Sequence, residues 1–135
     1  MIAMICVDDN GGVLFNKRRV SKDRVLRGEL LARAADSRLL VSPYTARQFD
    51  AEQQAGLTIC EDVLASAQPG DFCFLEDSDL TAALAAASGL ILYKWNREYP
   101  SDVRLILPPE GWQLAESRDF AGSSHEKITE EIYTR

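Results

Sequence analysis

Apolar positions fall in short blocks divided by polar turns. Ile2, Ala3, Met4, Ile5, Cys6 and Val7 are apolar without alternation. That predicts a strand over Met1–Val7 covered on both faces, as in the centre of a mostly parallel α/β sheet. Asp8-Asp9-Asn10-Gly11-Gly12 has the composition of a turn. A basic loop, Asn16–Val20, leads to a helix expected to open near Ser21. Ser21 reads as its N-cap, with Asp23 in the first turn, where the helix dipole favours an acid. Leu26, Leu30 and Ala34 recur at helical spacing, and Arg24, Arg27 and Arg33 supply a wet face.

The blocks continue with a buried strand at Leu39–Ser42, ended by Pro43. Thr45 is placed as the cap of a helix running to about Ala55, anchored by Phe49. A weak strand at Leu57–Cys60, a short helix at Glu61–Gln68 and a strand at Phe72–Glu76 follow. Ser78 caps an alanine-rich helix, Asp79–Ala87, and Leu90–Trp95 is a fifth strand. Strand and helix alternate to this point, the signature of a parallel sheet. Val103–Leu107, Trp112–Ser117 and Ile128–Thr134 then read as strands with no helix between them. The last segment has two readings: Ser123-Ser124-His125-Glu126 matches a capping box and suits a helix, whereas the element order suits a strand. The expected fold is α/β: a twisted, mostly parallel sheet with helices on both faces and an antiparallel C-terminal hairpin, as one domain over 1–135.

Charge narrows the function classes. The net charge of −6 argues against broad nucleic-acid or membrane-surface binding. No window approaches the roughly 20 apolar residues of a membrane span. Asp8 and Asp9 interrupt the first apolar run too early for a signal peptide. Three cysteines without regular spacing suit reduced thiols and a cytoplasmic protein. One histidine is too few for a histidine-rich metallo-hydrolase, and no metal site is expected.

Several residues carry candidate chemistry. Asp23 is the catalytic candidate: a carboxylate at the base of a cleft can pair with the N–C–N edge of a planar ring, or assist protonation with a raised pKa. Asp8 and Asp9 follow a central strand, where ligands of open α/β sheets bind, and two acids there could hold Mg²⁺ for phosphoester chemistry. Asn16 precedes the compact cluster Lys17, Arg18 and Arg19, which can clamp a phosphate or carboxylate. Tyr93, Trp95, Asn96 and Arg97 mix ring, amide and cation at a strand end, suited to stacking and hydrogen bonding. His125 is a loop residue that could meet a ligand or serve a turn.

The order and spacing of these elements resemble dihydrofolate reductase in a shortened form. Ala3–Asp9 is similar to that family's opening strand and turn, and Gly12–Asp23 to its substrate-gating loop, with Asp23 at the pterin-binding carboxylate. Leu40-Val41-Ser42-Pro43-Tyr44-Thr45 resembles the strand whose threonine starts a cofactor-binding helix, which places Thr45 at the cofactor. Gly70–Leu80, Leu90–Asp102 and Trp112–Arg135 are similar to the remaining strands, the last with its Ser124-His125 pair. The resemblance implies hydride transfer from NADPH to a pterin. Four departures stand out: Arg18-Arg19-Val20 replaces Leu-Pro-Trp in the gating loop, Leu75-Glu76-Asp77 replaces a Gly-Gly pair that admits the dinucleotide, Ser42-Pro43 replaces the Gly-Arg of the cofactor motif, and the segment with the arginine for folate's glutamate tail is missing between Phe49 and Leu57. The cofactor is therefore left unassigned. Three functions stay open: a reductase-like domain binding a pterin or nucleotide, a non-catalytic or regulatory binding module, and a Mg²⁺-dependent phosphoester enzyme using Asp8 and Asp9. The oligomeric state is open too.

Overall fold

A computed structural model describes residues 1–135. Its strands are β1 (Ile2–Val7), β2 (Gly12–Phe15), β3 (Arg18–Arg19), β4 (Leu39–Val41), β5 (Thr58–Ile59), β6 (Phe72–Phe74), β7 (Gly89–Lys94), β8 (Val103–Arg104), β9 (Gln113–Phe120) and β10 (Ile128–Thr134). The helices are α1 (Arg24–Arg33), α2 (Pro43–Ala46), α3 (Ala51–Gln54), α4 (Val63–Ser66) and α5 (Leu80–Ala86). No helix is long and apolar enough to cross a membrane.

Seven strands form one sheet in the order β5-β4-β6-β1-β7-β10-β9. The pairs from β5 through β7 are parallel, and β10 joins β7 and β9 antiparallel. The unbroken apolar run of β1 has the reason expected of it. Ala3, Ile5 and Val7 enter one buried cluster with Leu80 and Ala83 of α5, while Met4 and Cys6 enter the other with Leu26 and Leu30 of α1. Both faces are covered, so a polar side chain at either parity would lose its water. The segment Ile128–Thr134 is a strand, which settles the open choice.

Three local expectations are corrected. Asn16–Val20 is not a plain loop: Asn16 and Lys17 have φ of 50° and 64° and turn β2 into β3, with Phe15 opposite Arg18. Two consecutive left-handed residues give a type I′ turn, which matches the strand twist. This hairpin pairs with β8 as a separate three-stranded sheet. Asp23, not Ser21, caps α1, by accepting from the backbone N–H of Val25 and Leu26. The helix predicted from Thr45 to Ala55 is two single turns. Ser42 caps the first with Pro43 at its opening position, and Asp50 caps the second in a capping box. Phe49 lies between them and is buried edge-on against Phe74.

Candidate functional site

The small sheet builds the first candidate surface. Its hairpin carries Phe15, Asn16, Arg18, Arg19 and Val20 up to the Tyr99-Pro100 turn, and together these line a cavity of about 560 Å³. Phe15 is 43% exposed there, an apolar ring kept in water by its place on the turn. Arg19 is committed: its guanidinium grips Glu76 with two nitrogens (Nε to Oε2 3.0 Å, Nη2 to Oε1 3.2 Å) and lies 4.3 Å from the centre of the Tyr44 ring. Arg18 is exposed and its guanidinium pairs with no carboxylate. Lys17 is exposed but does not line the cavity, so Arg18 is the cluster's unpaired cation at this cavity.

Beside this cavity lies a buried polar knot. Asp23 is 1% exposed, and six donors converge on its carboxylate. Oδ1 accepts from the backbone N–H of Val25, Leu26 and Ser123 and from Ser123 Oγ. Oδ2 accepts from Ser124 N (2.8 Å) and His125 Nδ1 (3.0 Å). Burial pushes the pKa of Asp23 up, but the hydrogen bonds from His125 and from the backbone of Ser123, Ser124 and Leu26 outweigh it. The carboxyl is held well below the ordinary carboxylate range, the opposite of the raised pKa expected for a proton donor. Both oxygens are spent on protein donors, so the carboxylate assigned to a ligand ring instead ties α1 to the loop before β10.

An ionised Asp23 fixes the tautomer of His125. The carboxylate needs the proton on Nδ1, and Nε2 faces Ser21 Oγ at 3.1 Å and Tyr99 Oη at 2.9 Å. The imidazole is 3% exposed and stacks on Trp95, with ring centres 4.5 Å apart and planes at 24°. Trp95 is therefore a buried platform for His125, and its own indole N–H is buried without a partner.

The other candidates occupy separate places. Asp8 is buried and organises its turn: Oδ1 accepts from Asn10 N and Gly12 N, and Oδ2 from Tyr99 N. Both oxygens thus serve the turn, and no three His, Cys, Asp or Glu side chains cluster in metal-holding geometry. Asp9 is exposed. Tyr93 is buried, donates to Glu130 at 2.8 Å and does not line the hairpin cavity. Asn96, at φ 58°, staples the end of β7 to Lys127 O and Thr129 Oγ1. With Trp95, Arg97, Glu126 and Lys127 it lines a smaller depression of about 320 Å³, distinct from the hairpin cavity.

Thr45 donates to Glu76 Oε1 at 2.9 Å, and Gln48 and Arg19 complete the shell of that carboxylate. Asp77 accepts from Ser42, and Asp62 and Asp79 stand on the same depression. The positions matched to a dinucleotide motif thus present acids where a pyrophosphate needs donors, and Leu75 is buried where a glycine would admit the backbone. These residues do not fit NADPH in the family's manner. Sequence reading missed Ser21 and Tyr99 as partners of His125. The hydroxyl at 21 was legible, but its partner arrives from residues over 100 positions away.

No protein-family model matches the chain. No curated protein matches it by sequence. Among solved structures it is similar to a dihydrofolate reductase from Enterococcus faecalis complexed with NADP(H) and RAB-propyl. The two share 12% sequence identity and a TM-score of 0.67, over 99% of this chain and 95% of that one. With seven strands in a mostly parallel sheet whose last two form an antiparallel hairpin, the chain has a divergent dihydrofolate-reductase-like fold.

Proposed function

We propose that this domain binds a planar, nitrogen-containing anion, a nucleotide in preference to a pterin, in the cavity between the β2–β3 hairpin and the Tyr99-Pro100 turn. One observation carries the reading: an open guanidinium, an amide, an exposed phenyl ring and a phenol line a single cavity of about 560 Å³. That volume is in the range of small-molecule sites. Arg18 pairs with the phosphate, Phe15 or Tyr99 stacks on the base, and Asn16 meets its edge. A pterin is disfavoured because the carboxylate that would hold its ring is occupied by six protein donors. Hydride transfer from NADPH is disfavoured by Asp77 on the depression and by the buried Leu75 in place of a glycine. The reading is of a binding module that keeps the fold and has a different ligand.

The test is a thermal-shift titration with nucleoside mono-, di- and triphosphates and with pterins. At a hundred times the Kd, a ligand stabilises by about 2.7 kcal/mol. For a chain of this size that raises Tm by roughly 10 °C. Arg18→Ala should leave the Tm of the free protein unchanged and abolish the nucleotide shift. A shift with pterins alone, no shift at all, or an unaltered shift in Arg18→Ala would refute the reading.

A further inference from the structure

We infer that Ser21, His125 and Asp23 form a nucleophilic relay, and that the domain cleaves small acyl esters at the wall of the hairpin cavity. The geometry is that of a hydroxyl, an imidazole and a carboxylate in series: Ser21 Oγ is 3.1 Å from His125 Nε2, and His125 Nδ1 is 3.0 Å from Asp23 Oδ2. Each member has the environment its part requires. Asp23 is buried and held by backbone N–H groups, so it stays ionised and keeps the proton on Nδ1. His125 is clamped from below by the Trp95 ring, which fixes the direction of Nε2. Ser21 is half-buried and directly follows Val20, which lines the cavity.

Tyr99 adds a second hydroxyl on the same nitrogen at 2.9 Å, and it too lines the cavity. Nε2 has one lone pair, so only one hydroxyl donates to it at a time. When Ser21 donates, the phenolic proton of Tyr99 is free for an oxygen in the cavity.

The reaction then runs as acyl transfer. Ser21 Oγ attacks the ester carbonyl carbon while its proton passes to Nε2. The carbonyl electron pair moves to oxygen, and the resulting alkoxide accepts from Tyr99. The alkoxide collapses, the bond to the alcohol oxygen breaks, and the leaving alcohol takes the proton from Nε2. Water repeats the sequence on the acyl-serine, giving acid and alcohol from ester and water. The exposed Arg18 at the cavity selects esters that bear an anionic group. The relay stands on its own distances; only this substrate preference shares the cavity with the binding reading.

The experiment uses the full chain, a fluorophosphonate probe and p-nitrophenyl acetate. Intact-mass and peptide analysis should find one adduct, on Ser21. Ser21→Ala, with its fold checked by circular dichroism, should abolish the adduct and slow hydrolysis by about 10²-fold or more. Asp23→Asn should change the imidazole ¹⁵N shifts of His125 to the other tautomer and suppress labelling. An unlabelled Ser21 in folded protein, hydrolysis unchanged in Ser21→Ala, or unchanged ¹⁵N shifts in Asp23→Asn would overturn the relay. Nucleotide binding can persist in Ser21→Ala, so the two readings fail separately.

Discussion

Replacing Asp23 by Asn asks how much the buried knot contributes to stability. Asn is as good an N-cap as Asp, so the bonds from Val25 and Leu26 to Oδ1 survive. On the other arm an amide NH₂ replaces the oxygen that accepts from Ser124 N and His125 Nδ1. Donor then faces donor. The Ser124 N–H loses a partner, at about 1–3 kcal/mol for an unsatisfied buried group, and charge-assisted bonds become neutral ones. His125 relieves part of this by moving its proton to Nε2. The sum is about 3 kcal/mol, or roughly 10 °C in Tm for a domain of this length. Urea unfolding at pH 7 measures it.

The pH dependence has a definite sign. The folded-state pKa of Asp23 is depressed, so its contribution is complete above the unfolded value of about 3.9 and is lost as pH falls below it. The gap between wild type and Asp23→Asn should be full at pH 7 and narrow below about pH 4. A gap under about 1 kcal/mol at pH 7, or one equally wide at pH 7 and pH 3, would refute this account of the knot.

Gly122→Ala should break the same knot without removing a polar group. A Cβ there would stand 2.5 Å from Asp23 Oδ2 and 2.9 Å from Ile128 Cδ1, so a large loss of stability by thermal melting is expected and a near-neutral result counts against the packing. Burial, reinforced by the nearby Glu76 and Asp23 charges, pushes the Cys6 thiol far up, and burial raises Cys73 to about 11. At pH 8 only Cys60, which is half-buried, should react promptly with an aromatic disulfide reagent; prompt reaction of two or three thiols would contradict this. Tyr93 is pushed above the usual phenol range by burial and the Glu130 charge, and Tyr133 to about 12 by burial and Glu131. Both should stay protonated at pH 11 in the folded protein, and the stability they lend below pH 10 should fall as pH rises. Ultraviolet titration showing all four tyrosines ionised before unfolding would be the contrary result.

The architecture was legible because it rests on composition read locally. A run such as Ile2–Val7 states by itself that both faces are covered, and the strand–helix alternation up to Lys94 states that the sheet is parallel. The caps show where local reading ends. Ser21 and Asp23 are both good caps, and what decides between them is a set of donors from Ser123, Ser124 and His125. Ser42 displaced Thr45 for a local reason that was available: Pro43 belongs just inside a helix, so the cap precedes it. Asn16 was likewise a signal, since asparagine tolerates the left-handed backbone of a two-residue hairpin turn. The charge of Asn16–Arg19 pointed to the cavity. The series Ser21–His125–Asp23 was not visible, because its histidine reaches the other two only once β10 has paired with β7.

That long reach shapes how the protein comes into being. Translation delivers Asp23 102 residues before His125. A nascent chain that has reached β7 holds a finished α1 whose capping carboxylate has found only Val25 and Leu26, with Trp95 uncovered and one edge of β7 unpaired. Closing so distant a pair is slow compared with local helix formation. Five of the seven sheet strands precede the closing hairpin, so β7 gains its second neighbour, and Asp23 its remaining donors, only from the last stretch of chain.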